Sequence, residues 1–212
     1  MKVASLAVGA FQANAWLAWD PDTGKGILID PGDEARRLAD WVERTGVEVE
    51  ALLATHGHLD HVSAAKELGE ILGGVPFFLH EADRFLLDSL GETRRQFGLP
   101  PADPPHPAGF LAGGGKVPVG GEVLQVLHVP GHSPGSVAFH GDGLLFTGDL
   151  LFRGSVGRTD LPGGEGPRLF ASIREKVLPL PGSTRILPGH GPETTIDEER
   201  RNNPFLLGII EK

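Results

Sequence analysis

The stretch Val49-Glu50-Ala51-Leu52-Leu53-Ala54-Thr55-His56-Gly57-His58-Leu59-Asp60-His61 joins an apolar run to a polar turn. A short apolar run bounded by turn residues reads as a buried strand, here 49–54. The turn then gathers three of the nine histidines of the chain and one aspartate. A neutral imidazole is a good ligand for zinc and related metals, and a carboxylate adds charge. His56 and His58 are two apart, a spacing that puts both side chains on one side of an extended segment. Asp60 and His61 come after the chain turns and can aim at a neighbouring point. One ion needs no more than three or four of these groups. Four donors in one turn therefore suggest two ions, provided other segments complete the shells.

Three later segments could do so. HVPGHSPGS offers His132, LLFTGD offers Asp149 and RILPGHGP offers His190. Each has an apolar strand followed by a ligand with glycine beside it. Strands fix such positions rigidly, and glycine lets the backbone approach a metal closely. Each fragment alone is a weak signal. The ordered set His56, His58, Asp60, His61, His132, Asp149 and His190 is a specific one.

Strands are expected at 2–8, 15–20 and 26–30, then at 49–54, 75–79, 123–129, 136–140, 144–147 and 184–187. Helices are expected near 34–45, 62–72, 81–90, 167–178 and 195–207. In the first helix Ala35, Leu38, Ala39 and Val42 form the i, i+3, i+4, i+7 stripe. Clustered proline and glycine over 98–122 read as a long surface loop. Two β-rich halves, each with helices, imply a layered α/β protein with mixed sheets. The 212 residues fit a single domain over 1–212, and no internal repeat is visible.

The chain has no cysteine, which excludes disulfides, thiolate metal sites and a cysteine nucleophile. Its net charge of -9 and lack of a basic stripe argue against nucleic acid as a partner. No run reaches the roughly 18 apolar residues of a membrane span. MKVASLAVGAFQANA has some features of a signal peptide, but Gly9, Gln12 and Asn14 interrupt it. The expectation is a first β-hairpin and a cytoplasmic protein.

THGHLDH, GHSPGS, FTGD and PGHGP resemble the metal motifs of the metallo-β-lactamase superfamily, over nearly the whole chain. ILIDPG resembles that superfamily's early motif, which ends in Asp30. The resemblance implies a four-layer αββα sandwich of two mixed β-sheets, with metals at one sheet edge. It implies that His56, His58 and His132 hold one ion, that Asp60, His61 and His190 hold a second, and that Asp149 bridges them. Asp30 would sit behind the ligands and orient the histidine turn, or else be a strand-end turn aspartate. GDLLFRGSVGRTDLPGG, GHGPETT and EERRNNPFL resemble the glyoxalase II-like branch, in particular its short bacterial hydroxyacylglutathione hydrolase-like proteins. Zinc, iron or both, with manganese as a further candidate, are the cofactors this implies.

Two divalent ions with a hydroxide between them suit attack on an acyl carbon. Asp60 is expected to ligate and also to orient that hydroxide. A small-molecule thioester is the expected substrate, because a thiol of pKa roughly 8.5 leaves without a dedicated acid. The glutathione grip departs from the family. Full-length glyoxalase II adds a helical C-terminal domain, which this chain is expected to lack. That enzyme also uses two tyrosines. Here tyrosine is absent, and Asp160 and Pro192 stand at those positions. Arg158 matches a basic family residue that contacts glutathione. Arg153 and Arg158 could bind a substrate carboxylate or form surface salt bridges. The competing readings are a mononuclear-iron persulfide dioxygenase, a β-lactamase, a nuclease and a non-catalytic binding module. The oligomeric state is not legible.

Overall fold

The computed structural model describes residues 1–210. The chain begins with an antiparallel hairpin of β1 (Lys2–Val8) and β2 (Ala13–Trp19), followed by β3 (Lys25–Ile29). Helix α1 (Ala35–Thr45) leads to β4 (Glu48–Leu53), which pairs parallel with β3. Next come α2 (Leu59–Val62), α3 (Ala65–Ile71) and β5 (Phe77–His80). A 3-10 turn (Glu81–Asp83), α4 (Arg84–Asp88), α5 (Leu90–Gln96) and β6 (Gly109–Leu111) complete the first half. Its strands lie in the order β1-β2-β3-β4-β5-β6.

The second half opens with β7 (Lys116–Val119), β8 (Glu122–His128), β9 (Val137–Gly141) and β10 (Leu144–Gly148). A small hairpin of β11 (Leu151–Phe152) and β12 (Ser155–Val156) follows, then α6 (Gly166–Ser172), which ends in a π turn (Ile173–Val177). The chain continues through β13 (Arg185–Pro188), β14 (Thr194–Thr195), α7 (Ile196–Asn202) and α8 (Pro204–Ile210). The second sheet runs β14-β13-β10-β9-β8-β7. It is antiparallel except where β10 and β13 pair parallel, so both sheets are mixed.

Alternation along the strands explains the layers, because successive side chains point to opposite faces. Trp16, Ala18, Ile27, Ile29 and Leu53 from the first sheet meet Val137, Phe139, Leu144, Phe146 and Leu187 from the second. The intervening Leu17, Leu28 and Leu52 face outward and pack with Leu38, Val42, Val62 and Leu68 of the first helical layer. Ala138, Leu145 and Ile186 do the same against Leu169, Ile173 and Ile196. Three apolar interfaces thus separate four layers, helix on sheet on sheet on helix, as the sequence implied. The predicted stripe of α1 is the buried one, Ala35, Leu38, Ala39 and Val42.

The expected loop over 98–122 contains β6 and β7, two edge strands. β6 is short and largely unburied, and Pro118 interrupts the donors of β7, which an edge position tolerates. The helix expected near 62–72 is two pieces, α2 and α3. The one near 81–90 opens as the 3-10 turn, and α5 beyond it was not foreseen. The terminal helix breaks before Pro204, which has no N–H to donate. Among the described residues, no helix is long and apolar enough to cross a membrane.

Phe146 is fully buried between the sheets and meets Trp16 edge to face at 6.1 Å. Phe146→Ala should cost about 3–5 kcal/mol, read as a lower urea midpoint with an unchanged slope.

Candidate metal centre

All the candidate ligands gather where strands end. The turn carrying His56 and His58 follows β4, and Asp60 and His61 lie in α2. His132 follows β8, Asp149 follows β10 and His190 follows β13. The first four residues come from one sheet and the last three from the other. Two backbone links join the sheets here. Val137 N–H donates to Thr55 O at 2.7 Å, and Asn14 N–H donates to Gly189 O at 2.7 Å.

Hydrogen bonds behind the rings fix which nitrogen each offers. Asp30 is 1 % exposed, with a left-handed backbone, φ 55°. Its carboxylate accepts from Thr55 N–H at 2.7 Å, Thr55 Oγ1 at 2.8 Å and His61 Nδ1 at 2.9 Å. His61 is thereby left with a bare Nε2. Thr55 Oγ1, having donated to Asp30, accepts from His56 Nδ1 at 3.1 Å and leaves His56 Nε2 bare. His132 Nδ1 donates to the Arg158 carbonyl at 2.7 Å and leaves its Nε2 bare.

The bare nitrogens converge. His132 Nε2 lies 2.8 Å from His58 Nδ1 and 3.2 Å from His56 Nε2. On the other side, His61 Nε2 lies 3.4 Å from Asp149 Oδ1 and 3.7 Å from Asp60 Oδ2. His190 Nε2 lies 3.2 Å from Asp60 Oδ2 and 3.6 Å from Asp149 Oδ2. Asp149 Oδ2 also lies 3.6 Å from His132 Nε2, so it stands between the two clusters. Three overlapping groups could each hold an ion: His56, His58 and His132; His56, His61 and Asp149; and Asp60, His61 and His190. All seven predicted ligands are therefore brought together. Gly189 makes room for them, since a Cβ there would lie 2.3 Å from Asp149 Oδ1.

The donor set fits metal ions. Two ligand nitrogens at ~2.0–2.1 Å from one tetrahedral ion lie ~3.3 Å apart, close to the spacings at His132. His61 Nε2 and Asp149 Oδ1 are buried with no hydrogen-bond partner, and they face each other. A cation between them would satisfy both. His58 Nε2, on the far side of its ring from His132, is buried without a partner as well.

Charge divides the centre into two poles. Burial, with help from the neighbouring histidines, pushes His56 well below its ordinary pKa. Burial and His132 push His58 down to about 4. Burial also opposes charge on His61, but Asp149, Asp60 and Asp30 outweigh it and raise its pKa well above the usual value. At His190 burial again opposes the charge, and Asp60 and Asp149 raise the pKa. Burial disfavours charge on Asp60, yet His61 and His190 hold its carboxyl well below the usual range. The three-histidine pole thus prefers neutral rings, and the carboxylate pole attracts positive charge. His61 is fully buried, whereas His190 and Asp60 are part-exposed at 28 % and 19 %, so the centre opens on that side.

The two arginines lie differently. Arg158 is exposed, and its guanidinium pairs with Asp160 through bonds of 2.7 and 2.8 Å. Arg153 is exposed and shares a shallow surface concavity with Arg185, Glu193 and Glu198, none of them a predicted ligand. Neither Asn14 nor Trp16 stands out in the sequence as a support of the centre. Asn14 Nδ2 donates to Pro188 O at 3.0 Å and to Gly191 O at 2.9 Å, spanning the loop of His190. Trp16 Nε1 donates to the same Pro188 carbonyl at 2.9 Å. One signal was available for Asn14, a polar amide inside an otherwise apolar strand.

Residues 8–190 match the family model of the metallo-β-lactamase superfamily. The chain belongs to that superfamily. It is 44% identical to the hydroxyacylglutathione hydrolase GloC of Haemophilus influenzae, over 97% of this chain and 98% of that protein. Among solved structures, TTHA1623 in a di-iron-bound form is 44% identical, with a TM-score of 0.88 over 96% of this chain and 100% of its own. The BLEG-1 B3 metallo-β-lactamase is 37% identical, with a TM-score of 0.90 over 97% of this chain and 99% of its own.

The two poles give metal-free protein opposite pH responses. His56 and His58 are depressed below the unfolded value of ~6.5, so their contribution is present above it and lost as pH falls. His61 and His190 are raised, so theirs is present below that value and lost as pH rises. Melting temperature in chelator should therefore peak near pH ~6.5 and fall on both sides. A steady rise from pH 5 to 8.5 would contradict this balance.

Proposed function

We propose that this chain is a dinuclear metallo-hydrolase that cleaves thioesters of the hydroxyacylglutathione type. The coarser part, a metallo-hydrolase of its superfamily, rests on family membership and the His/Asp cluster. The observation that carries the proposal is the donor set itself, with bare, buried acceptors aimed at shared points. Near-full-length similarity to a hydroxyacylglutathione hydrolase supports the thioester class. His56, His58 and His132 would hold one ion, Asp60, His61 and His190 the other, and Asp149 would serve both. Zinc, iron or manganese suit this mixture of imidazole and carboxylate. The proposal includes a cytoplasmic, single-domain protein acting on a small molecule.

When bound, such a pair would supply Lewis acidity and would lower the pKa of a water to ~7. The protein does the rest. Asp30 and Thr55 hold the rings of His61 and His56 in one tautomer. Asp60, at the open side, accepts the hydrogen bond of the attacking water and directs its lone pair to the acyl carbon. The leaving thiolate, of pKa roughly 8.5, departs without a general acid. Arg158 matches a basic family residue that contacts glutathione, but here Asp160 pairs with it. That pair is exposed on both sides and holds weakly. A glutathione thioester therefore competes with Asp160 for Arg158.

A β-lactamase is the second reading, favoured by the likeness to BLEG-1. Hydrolysis of nitrocefin with no turnover of lactoylglutathione would select it. Asp60→Ala should abolish thioester turnover while one equivalent of metal per chain remains. Near-normal turnover would remove Asp60 from its role. Asp160→Asn should lower KM for lactoylglutathione several-fold with kcat unchanged. An unchanged KM would show that Arg158 does not meet the substrate.

A further inference from the structure

The three-histidine group exists only because two loops from different sheets meet. His56 and His58 flank Gly57 on the turn after β4, and His132 precedes Ser133 on the loop after β8. Asp83, fully buried at the end of the 3-10 turn after β5, stands between these loops. Its Oδ2 accepts from Gly57 N–H at 2.9 Å and from Ser133 Oγ at 2.6 Å. Its Oδ1 accepts from Gly135 N–H at 2.6 Å. One carboxylate therefore bonds the residue between two candidate ligands and the residues just beyond the third. Ser133 is fixed in turn, for its N–H donates to Ser136 Oγ at 3.1 Å.

The glycines are shaped to this contact. A Cβ on Gly57 would lie 2.9 Å from the Asp83 carbonyl oxygen, and one on Gly135 would lie 2.7 Å from the Asp83 carboxyl carbon. Real Cβ atoms do not come that close without displacement, so both loops reach Asp83 only as glycine. Asp83 is neither one of the seven candidate ligands nor a partner of any of them. It acts on the backbone that carries them.

We propose that Asp83 is a positioning residue. It sets the distance between the His56/His58 turn and the His132 loop, and so the affinity of that group for its metal ion. The inference rests on the metal reading above. Carboxylates that orient ligands from behind change metal affinity when removed, typically by 10–100-fold. Asp83 differs in working through two glycines and a serine.

The test compares metal-free wild type, Asp83→Asn and Ser133→Ala. Each is titrated with zinc against a chromophoric chelator, and cobalt(II) spectra report ligand geometry. Asparagine keeps the shape but turns an NH2 group toward an N–H donor. Ser133→Ala removes one of the three bonds to Asp83, together with the contact of Ser133 Oγ to Ser136 Oγ at 2.8 Å. In Asp83→Asn one of two binding steps should weaken about 10–100-fold while the other stays at the wild-type value. Ser133→Ala should weaken the same step by less. Wild-type affinity at both steps in Asp83→Asn overturns the proposal. So does equal weakening of both steps with a lower metal-free melting temperature, which marks a role in the fold alone. Should Asp83→Asn fail to fold, Ser133→Ala decides by the same one-step criterion. A wild type that takes up neither zinc nor cobalt overturns the metal reading, and this proposal with it.

Discussion

Lone pairs on neighbouring imidazoles repel, yet this chain holds His56 Nε2 at 3.2 Å from His132 Nε2, both bare because each ring's Nδ1 carries the proton. Unless a cation stands between them, nothing in that contact is attractive, and the one hydrogen bond nearby is from His58 Nδ1 to His132 Nε2 at 2.8 Å. The surrounding structure must therefore hold the rings in place. It does so with buried acceptors and backbone groups: Asp30 and Thr55 behind two rings, the Arg158 carbonyl behind a third, and Asn14 across the loop of His190. A buried polar group left without a partner is costly, and here each of these groups is satisfied by another that positions a ligand. Much of the polar network under the sheet edge is explained by this single demand.

The division into a neutral pole and a charged pole bears on the chemistry. Three neutral rings bind a cation without cancelling its charge. Asp60 and Asp149 add negative charge toward the side that opens to solvent, so a cation held there would be more fully neutralised than one at the three-histidine pole. Backing His56, His61 and His132 each with its own partner keeps those rings from turning when the local field changes. Arg158 lies outside the cluster, paired with Asp160 in an exposed contact, and its link to the centre is the backbone carbonyl behind His132.

Much of this was legible in the sequence for a physical reason. Buried central strands are long apolar runs, so β2, β3, β4, β9, β10 and β13 stood out, and the ligands followed them in recurring glycine-flanked turns. The edge strands β6 and β7 are short and carry no such signal, so they were hidden in a segment rich in proline and glycine. Short helices broken by tertiary contacts, such as α2, α3 and α5, blur the 3.6-residue period. The ligands could be named, because histidine and aspartate declare their chemistry. Their supports could not. Asn14 looked like an interruption, and Asp83 like one more acidic residue near a helix start. Their partners lie 174 and 26 residues away along the chain, and only folding makes them neighbours.

The strand order has one further consequence. Strands β1 to β6 form one sheet, and β7, β8, β9, β10, β13 and β14 form the other. Consecutive strands thus pass from one sheet to the other a single time, between Leu111 and Lys116. Each sheet is a contiguous block of sequence, whereas the metal centre is shared, with four candidate ligands in the first block and three in the second. An ion held there is a rivet between two halves that the polypeptide itself joins only once. Cutting the chain in that short passage would leave two fragments, each with a complete sheet and neither with a complete centre.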